Sequence, residues 1–277
     1  MKDYSYEIQH IRDELLKYIT SNKIESLVIG ISGGIDSALC AVLAKPVCDL
    51  LKIPLIGRSL PIQSNKQEEI NRAKFIGENF CTNFLEINLG GDFTSLWNTL
   101  DKEDSSNFPN KFQFRRGNLK ARLRMIYLYD IAQLNNGLIL STDNYTEYLL
   151  GFWTLHGDVG DFGIIQNLWK TEVYEMSEWL VEKELDKKES IALKECIECQ
   201  ATDGLGITNT DLDQILPGWE GSSKDGYKMI DEILKTFLSL NSPDIDTKNP
   251  VIVRHKKSAF KRNNPFNISR NLIIKNE

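Results

Sequence analysis

Short β-rich apolar runs at 26–32, 54–60, 83–88 and 137–142 alternate with segments of helical period at 36–50, 66–79, 92–100 and 117–134. A strand that is apolar along its length, such as Ser26-Leu-Val-Ile-Gly-Ile-Ser32, must be covered on both faces, and helices linking parallel strands supply that cover. The alternation therefore predicts right-handed βαβ units in a doubly wound, mostly parallel α/β sheet flanked by helices. An amphipathic helix over 4–20, with Ile8, Ile11, Leu15, Leu16 and Ile19 on one stripe, precedes the first strand. Helices at 170–183, 187–195, 209–216 and 223–240 follow the sheet region, and a basic tail ends the chain. No Pro/Gly-rich linker interrupts this order, and 101–110 reads as an exposed polar loop. The simplest organisation is one domain over 1–277, with a core at about 20–182 and a helical C-terminal part with the tail at about 183–277.

In open parallel sheets ligands bind beyond the carboxyl ends of the strands, which directs attention to 32–37 and 141–147. Charge narrows the ligand class. The chain of 277 residues carries 33 Lys+Arg and 39 Asp+Glu, a net charge of −6. Residues 251–277 hold 7 of those bases and 1 of the acids, leaving 26 and 38 elsewhere, so a body at −12 precedes a tail at +6. Such a body repels nucleic acid, while the tail can meet a small anion. No run of about 18 uncharged apolar residues is present, so a membrane span is not expected. The amphipathic, charged N-terminus lacks the short apolar stretch of a secretory signal, and the expected setting is cytoplasmic. Five scattered cysteines, an odd number in a chain of this size, point to reduced thiols.

Between the first strand and its helix lies Gly30-Ile31-Ser32-Gly33-Gly34-Ile35-Asp36-Ser37. The glycines let the backbone turn sharply and approach a ligand, the serines offer hydroxyls, and the helix start offers free N–H groups with its positive dipole end. That is a cradle for phosphate. It is neither the GxxxxGK[ST] loop nor GxGxxG. Asp36 inside such a cradle would repel phosphate unless a cation intervenes, which points to Mg2+ between carboxylate and phosphate oxygens.

SGGIDS resembles the SGGxDS pyrophosphate-binding loop of the N-type ATP pyrophosphatases, which cleave ATP between its α and β phosphates. Gly117-Asn-Leu-Lys-Ala-Arg-Leu-Arg-Met125 resembles the GNxxAR.RM segment of one branch, the ammonia-dependent NAD synthetases. On a helix, Leu119, Leu123 and Ile126 share an apolar face, while Asn118 and Arg122 lie four apart on another and suit a carboxylate or phosphate. Ser141-Thr-Asp-Asn-Tyr-Thr-Glu147 and Gly151-Phe-Trp-Thr-Leu-His-Gly-Asp158 are similar to the same family's GTDxxxE and G(F/Y)xTxxGD stretches.

The resemblance runs through nearly the whole chain and implies the following roles. Thr142 contacts ATP, Glu147 joins Asp36 in holding the metal, and Asp158 helps to bind or deprotonate ammonium. Lys170 and Thr202 reach the ATP phosphates, and Asn118, Arg122, Asp161, Phe260 and Lys261 serve the dinucleotide. The family fold is the ATP pyrophosphatase α/β sheet. The reaction converts deamido-NAD, ATP and ammonia to NAD, AMP and pyrophosphate through an acyl adenylate. Family enzymes are homodimers with the dinucleotide at the subunit interface, and because the resemblance covers a synthetase domain only, ammonia or a separate donor is expected to supply the nitrogen.

Leu155 stands where the family commonly has Lys, 158–161 is one residue shorter than DGGAD, and Phe260 replaces the His of a tail HKR. These positions concern the acid substrate more than ATP, so nicotinate mononucleotide or another small carboxylate is the alternative substrate. A tRNA-modifying ATP pyrophosphatase, with Cys196 or Cys199 as sulfur carrier, is the rival from another class; the net negative body and the absence of a basic, aromatic-studded RNA module in this sequence count against it.

Overall fold

The computed structural model describes residues 2–63, 65–101, 109–200, 202, 210, 212–216, 218–239 and 248–270. Strand β1 (Ser26–Gly30) is the central strand, and none of its residues is exposed. β2 (Leu55–Ser59) and β3 (Asn83–Glu86) extend the sheet on one side; β4 (Gly137–Ser141) and β5 (Phe162–Gly163) extend it on the other. The order is β3-β2-β1-β4-β5, and every pairing is parallel. Val28 is level with Ile56 on one neighbour and Ile139 on the other.

This register sorts the side chains by the period of two. Leu27, Ile29, Leu55, Leu138 and Leu140 face one layer, built by α1 (Ser5–Asn22), α2 (Ile35–Leu51), α3 (Gln67–Phe80), α7 (Lys170–Lys183) and α8 (Lys187–Glu198). Val28, Ile56 and Ile139 face the other, built by α4 (Gly90–Leu100) and α5 (Pro109–Leu134). α2 is buried from Ile35 to Cys48 on nearly every side, as expected of an apolar helix in the middle of a layer. A third cluster joins α6 (Tyr145–Leu150), a 3-10 turn (Leu212–Gln214), α9 (Ser223–Ser239) and α10 (Pro250–Lys257); α11 (Ala259–Arg262) follows.

The doubly wound parallel sheet agrees with the alternation of apolar runs, but several elements differ in detail. α5 begins at Pro109 rather than near 117, with Pro at a first-turn position where its missing N–H costs nothing. Its sheet-facing stripe is Ala121, Met125, Leu128 and Ala132, each apolar side chain worth up to about 2 kcal/mol on burial. Leu119 and Leu123 pack only partly against that core and Ile126 is 63% exposed, so the apolar face expected from the spacing is turned toward solvent at its far edge. In place of a helix over 209–216, the described residues hold a single 3-10 turn. α6, the two-residue β5, and helices α10 and α11 within the basic tail were not anticipated by the periodicity. Among the described residues no helix is long and apolar enough to cross a membrane.

Candidate active site

The chain moves outward from β1 to β2 and β3, then returns past β1 to β4. The loops leaving β1 and β4 therefore diverge from neighbouring strands, and a cavity opens between them. Its wall contains all of 30–36, with Thr142, Asp143, Glu147, Asp158, Lys170 and Thr202.

The loop after β1 is tied to itself. Ile31 continues the ladder through its N–H to Arg58 O at 2.8 Å. Ser37 Oγ receives the Ser32 N–H at 3.2 Å, lies 3.1 Å from Ser32 Oγ, and donates to Gly34 O at 3.1 Å. Gly33 adopts φ +83°, and a Cβ there would lie 2.3 Å from Glu69 O of α3, so only glycine fits. Ile31 and Ile35 are buried and anchor the loop, while Gly33 and Gly34 present backbone to the cavity.

Asp36 and Glu147 come from the two sides of the divergence and meet on one cation. The Lys170 ammonium donates to Asp36 Oδ2 and, at 3.2 Å, to Glu147 Oε1. Asn144 Nδ2 donates to Asp36 Oδ1 at 2.9 Å, and its side-chain oxygen accepts the Glu147 N–H at 3.0 Å. Asn144 is thus the N-cap of α6 and also a brace on the loop of β1. Lys170 is 2% exposed. Burial alone would lower its pKa, but the Asp36 and Glu147 carboxylates overcome that and hold the ammonium well above its usual range.

Asp158 closes the cavity and accepts the Thr154 N–H at 2.8 Å. Burial pushes its carboxyl up to about 6 against the pull of that hydrogen bond and of Lys261 and Arg124. Asp143, adjacent to Thr142, is raised well above the ordinary carboxyl range by burial and then by the charges of Asp158 and Glu147, with the Ser141 hydroxyl opposing. A hydroxyl of Thr202 on the same wall donates to Glu69 Oε1 at 2.8 Å. Both Cys196 and Cys199 also line the cavity, and the five cysteines are free.

The residues expected to serve the dinucleotide lie away from this wall. Asn118 Oδ1 accepts the Thr154 hydroxyl at 2.9 Å, and Arg122 Nη2 donates to Leu155 O at 3.0 Å, so α5 clamps the 154–158 turn. Asp161 is engaged by Tyr129 OH at 2.9 Å and by the Ile139 N–H at 3.0 Å, which ties it to the edge of β4. The Lys261 ammonium donates to the carbonyls of Gly151, at 2.7 Å, and Trp153. Phe260 is 63% exposed.

One supporting residue carries no sequence signal of the usual kind. Asp231 of α9 is fully buried and accepts the Thr146 hydroxyl at 2.5 Å, while the same Thr146 oxygen accepts the Lys170 N–H at 2.9 Å. Asp143 carries a signal, its place beside Thr142 at a strand end.

The glycine loop that carries Asp36, with Glu147 facing it across the divergence of a parallel sheet, is the arrangement of an enzyme of the ATP pyrophosphatase fold. The NAD synthase family pattern matches residues 7–265. The chain belongs to that family. It is 32% identical over 273 residues to the NH3-dependent NAD+ synthetase of Thermoplasma acidophilum, covering 98% of this chain and 100% of the relative. The corresponding enzyme of Pyrococcus furiosus is 32% identical over 264 residues, 91% of each chain. Two solved structures share the fold. The NMN synthetase from Francisella tularensis has a TM-score of 0.77 at 24% identity, covering 98% of this chain and 100% of that one. The NH3-dependent NAD synthetase of Campylobacter jejuni, solved with nitrate, has a TM-score of 0.68 at 22% identity and covers 97% and 100%.

Proposed function

We infer that this cavity makes NAD from deamido-NAD, ATP and ammonia, the amide-forming ligase chemistry of the family. The observation that carries the reading is the meeting of Asp36 and Glu147 on the Lys170 ammonium beside the glycine loop. A carboxylate at neutral pH resists amines, so its oxygen must first become a leaving group. The nicotinate carboxylate oxygen bonds to the α phosphorus of ATP, the bond from that phosphorus to the bridging oxygen breaks, and its electron pair leaves with pyrophosphate. Ammonia then attacks the acyl carbon, and the carbon–oxygen bond to AMP breaks.

In this division of labour 30–37 cradle the pyrophosphate end, with Thr142 and Thr202 as hydroxyl donors and Lys170 as a cation held in place. Catalysis rests on positioning and charge neutralisation. Asp158 accepts the proton that ammonium must lose before nitrogen can attack. The donor set suits a magnesium ion: Asp36 and Glu147 offer hard carboxylate oxygens and already converge on a positive charge. When bound there, Mg2+ supplies neutralisation of phosphate charge and polarisation of a phosphoryl oxygen. The free cysteines suit a reducing compartment such as the cytoplasm.

Asn118, Arg122, Asp161, Phe260 and Lys261 are assigned to the dinucleotide from outside the cavity, which needs a surface to complete their site. Ile126, Tyr129 and Leu134 expose apolar side chains on the solvent side of α5, 63%, 43% and 75% accessible. A second copy of the chain covers that face in a homodimer.

A second reading replaces deamido-NAD by nicotinate mononucleotide. It is favoured by the match to the F. tularensis NMN synthetase along the full length of both chains, and by the occupation of the Lys261 ammonium on backbone carbonyls. Assay of AMP and amide with ATP, Mg2+, ammonium and each acid decides between them. Amide from deamido-NAD at the higher kcat/KM supports the first reading; preference for the mononucleotide replaces it. Asp36→Ala should abolish pyrophosphate release, and retention of wild-type rates would refute the metal assignment.

A further inference from the structure

The cations lining the cavity are Arg58, Arg72, Arg124 and Lys170, and three are committed within the protein. Arg58 Nη1 donates to Gly57 O at 2.8 Å and to Asn83 Oδ1 at 3.0 Å. Arg124 donates from Nε to Leu60 O and from Nη2 to Asn65 Oδ1, both at 3.0 Å. Lys170 is shared by Asp36 and Glu147. Arg72 of α3 differs. Its Nε donates to Gly33 O at 3.0 Å, which is its one hydrogen bond among the described residues, and no carboxylate among them is ion-paired with it.

A guanidinium is a planar fork of five N–H donors. With Nε fixed on the carbonyl of the tightest glycine in the loop, the terminal nitrogens are held beside the same loop. Their charge reaches the neighbouring helix α8 and its C-terminal end: Arg72 pulls the thiols of Cys196 and Cys199 down against the dominant effect of burial. The side chain therefore bridges the phosphate cradle and the wall that ends in Cys199 and Thr202.

We propose that Arg72 is a phosphate-binding residue that clamps Gly33 through Nε and offers its terminal nitrogens to the β and γ phosphoryl oxygens of ATP and to the departing pyrophosphate. The assignment rests on the reading of this cavity as an ATP pyrophosphatase site. It gives the leaving group a cation independent of the Lys170 pair. When the bond from the α phosphorus to the bridging oxygen breaks, the new negative charge develops on the side of the cradle that Arg72 occupies.

Two substitutions separate a ligand from a brace. Gln carries its amide nitrogen at the chain position of the Arg Nε, so Arg72→Gln keeps a donor for Gly33 O and removes the charged fork; Arg72→Ala removes both. Inorganic pyrophosphate and AMP are used as inhibitors of the full-length enzyme with ATP and Mg2+, and thermal melts report folding. The expected result is that both variants weaken pyrophosphate inhibition and raise the KM for ATP by about ten- to a hundredfold, the range of a charge-assisted hydrogen bond, with AMP inhibition within about twofold of wild type. If Arg72→Gln restores wild-type pyrophosphate inhibition, Arg72 is only a brace and the proposal is overturned. Equal loss of AMP and pyrophosphate inhibition overturns it as well, because the whole loop has then moved. A wild-type enzyme that releases no pyrophosphate from ATP overturns the reading of the site, and the Arg72 assignment with it.

Discussion

Asp231 accepts two hydrogen bonds from Thr171, one from its backbone N–H at 2.9 Å and one from its hydroxyl at 2.8 Å. The first of these satisfies a donor at the start of α7 that no helical carbonyl can reach, one residue from Lys170. Burial raises the Asp231 carboxyl, and the bonds from Thr146 and Thr171 oppose that rise. Asp231→Ala leaves buried donors unpaired, so it should lower stability by about 2–3 kcal/mol and reduce kcat through a displaced Lys170. Urea unfolding followed by circular dichroism, alongside steady-state kinetics, measures both; an unchanged midpoint would remove Asp231 from the support of α7.

Asp158, with its carboxyl at about 6, should place the acid limb of kcat/KM near that pH, activity falling about tenfold per unit below it. Stability follows the opposite sign. A carboxyl raised from 3.8 to about 6 contributes most to folding while protonated, and that contribution is lost as pH rises through 6. Asp158→Asn mimics the neutral form. It should be nearly inactive yet more stable than wild type by about 1–2 kcal/mol at pH 8, solvent screening allowed for, with the advantage vanishing near pH 4. Melting temperatures across pH give the comparison, and a constant difference from pH 4 to 8 would contradict it.

Gly33→Ala forces a side chain onto a backbone at φ +83° and a Cβ to within 2.3 Å of Glu69 O. The expected cost is about 2–4 kcal/mol, together with loss of ATP binding. Gly34 supplies the control, because a Cβ there first meets Ser32 Oγ at 3.3 Å. Equal losses for Gly33→Ala and Gly34→Ala would show that the left-handed turn is not what the loop requires.

The exposed edge of α5 gives a test of assembly. Ile126→Glu places a charge on the solvent side of α5 assigned to the second copy and should halve the sedimentation mass at micromolar concentration, with the far-ultraviolet spectrum unchanged. A wild-type enzyme that sediments as a monomer at the concentrations of the assay would dismiss the homodimer.

Much of this architecture is legible in the chain because it is locally encoded. β1 has a buried apolar centre, Leu27-Val28-Ile29, and its following glycines admit a turn that few other residues allow, so strand, loop and α2 can be read together. The NAD synthase assignment is likewise carried by short segments in a fixed order. β5 is not legible: two residues, Phe162 and Gly163, have no periodicity, and their pairing with Leu140 and Ser141 depends on β4 being in place. α10 had a signal in the Asn249 cap followed by Pro250, masked by the density of basic residues behind it. Arg72 and Asp231 look like ordinary polar residues of amphipathic helices. Their significance comes from partners 39 and 60 residues away, Gly33 and Thr171, which only tertiary packing supplies.

The reversal of chain direction beside β1 also bears on how the protein comes together. Asp36 belongs to the half that winds outward and Glu147 to the half that winds back, so neither contiguous segment holds both carboxylates. A nascent chain that has finished only β1 to β3 owns the cradle without its counterpart. On the proposed reading of the cavity, ATP binds only a chain whose two windings have both closed, and its binding stabilises that state.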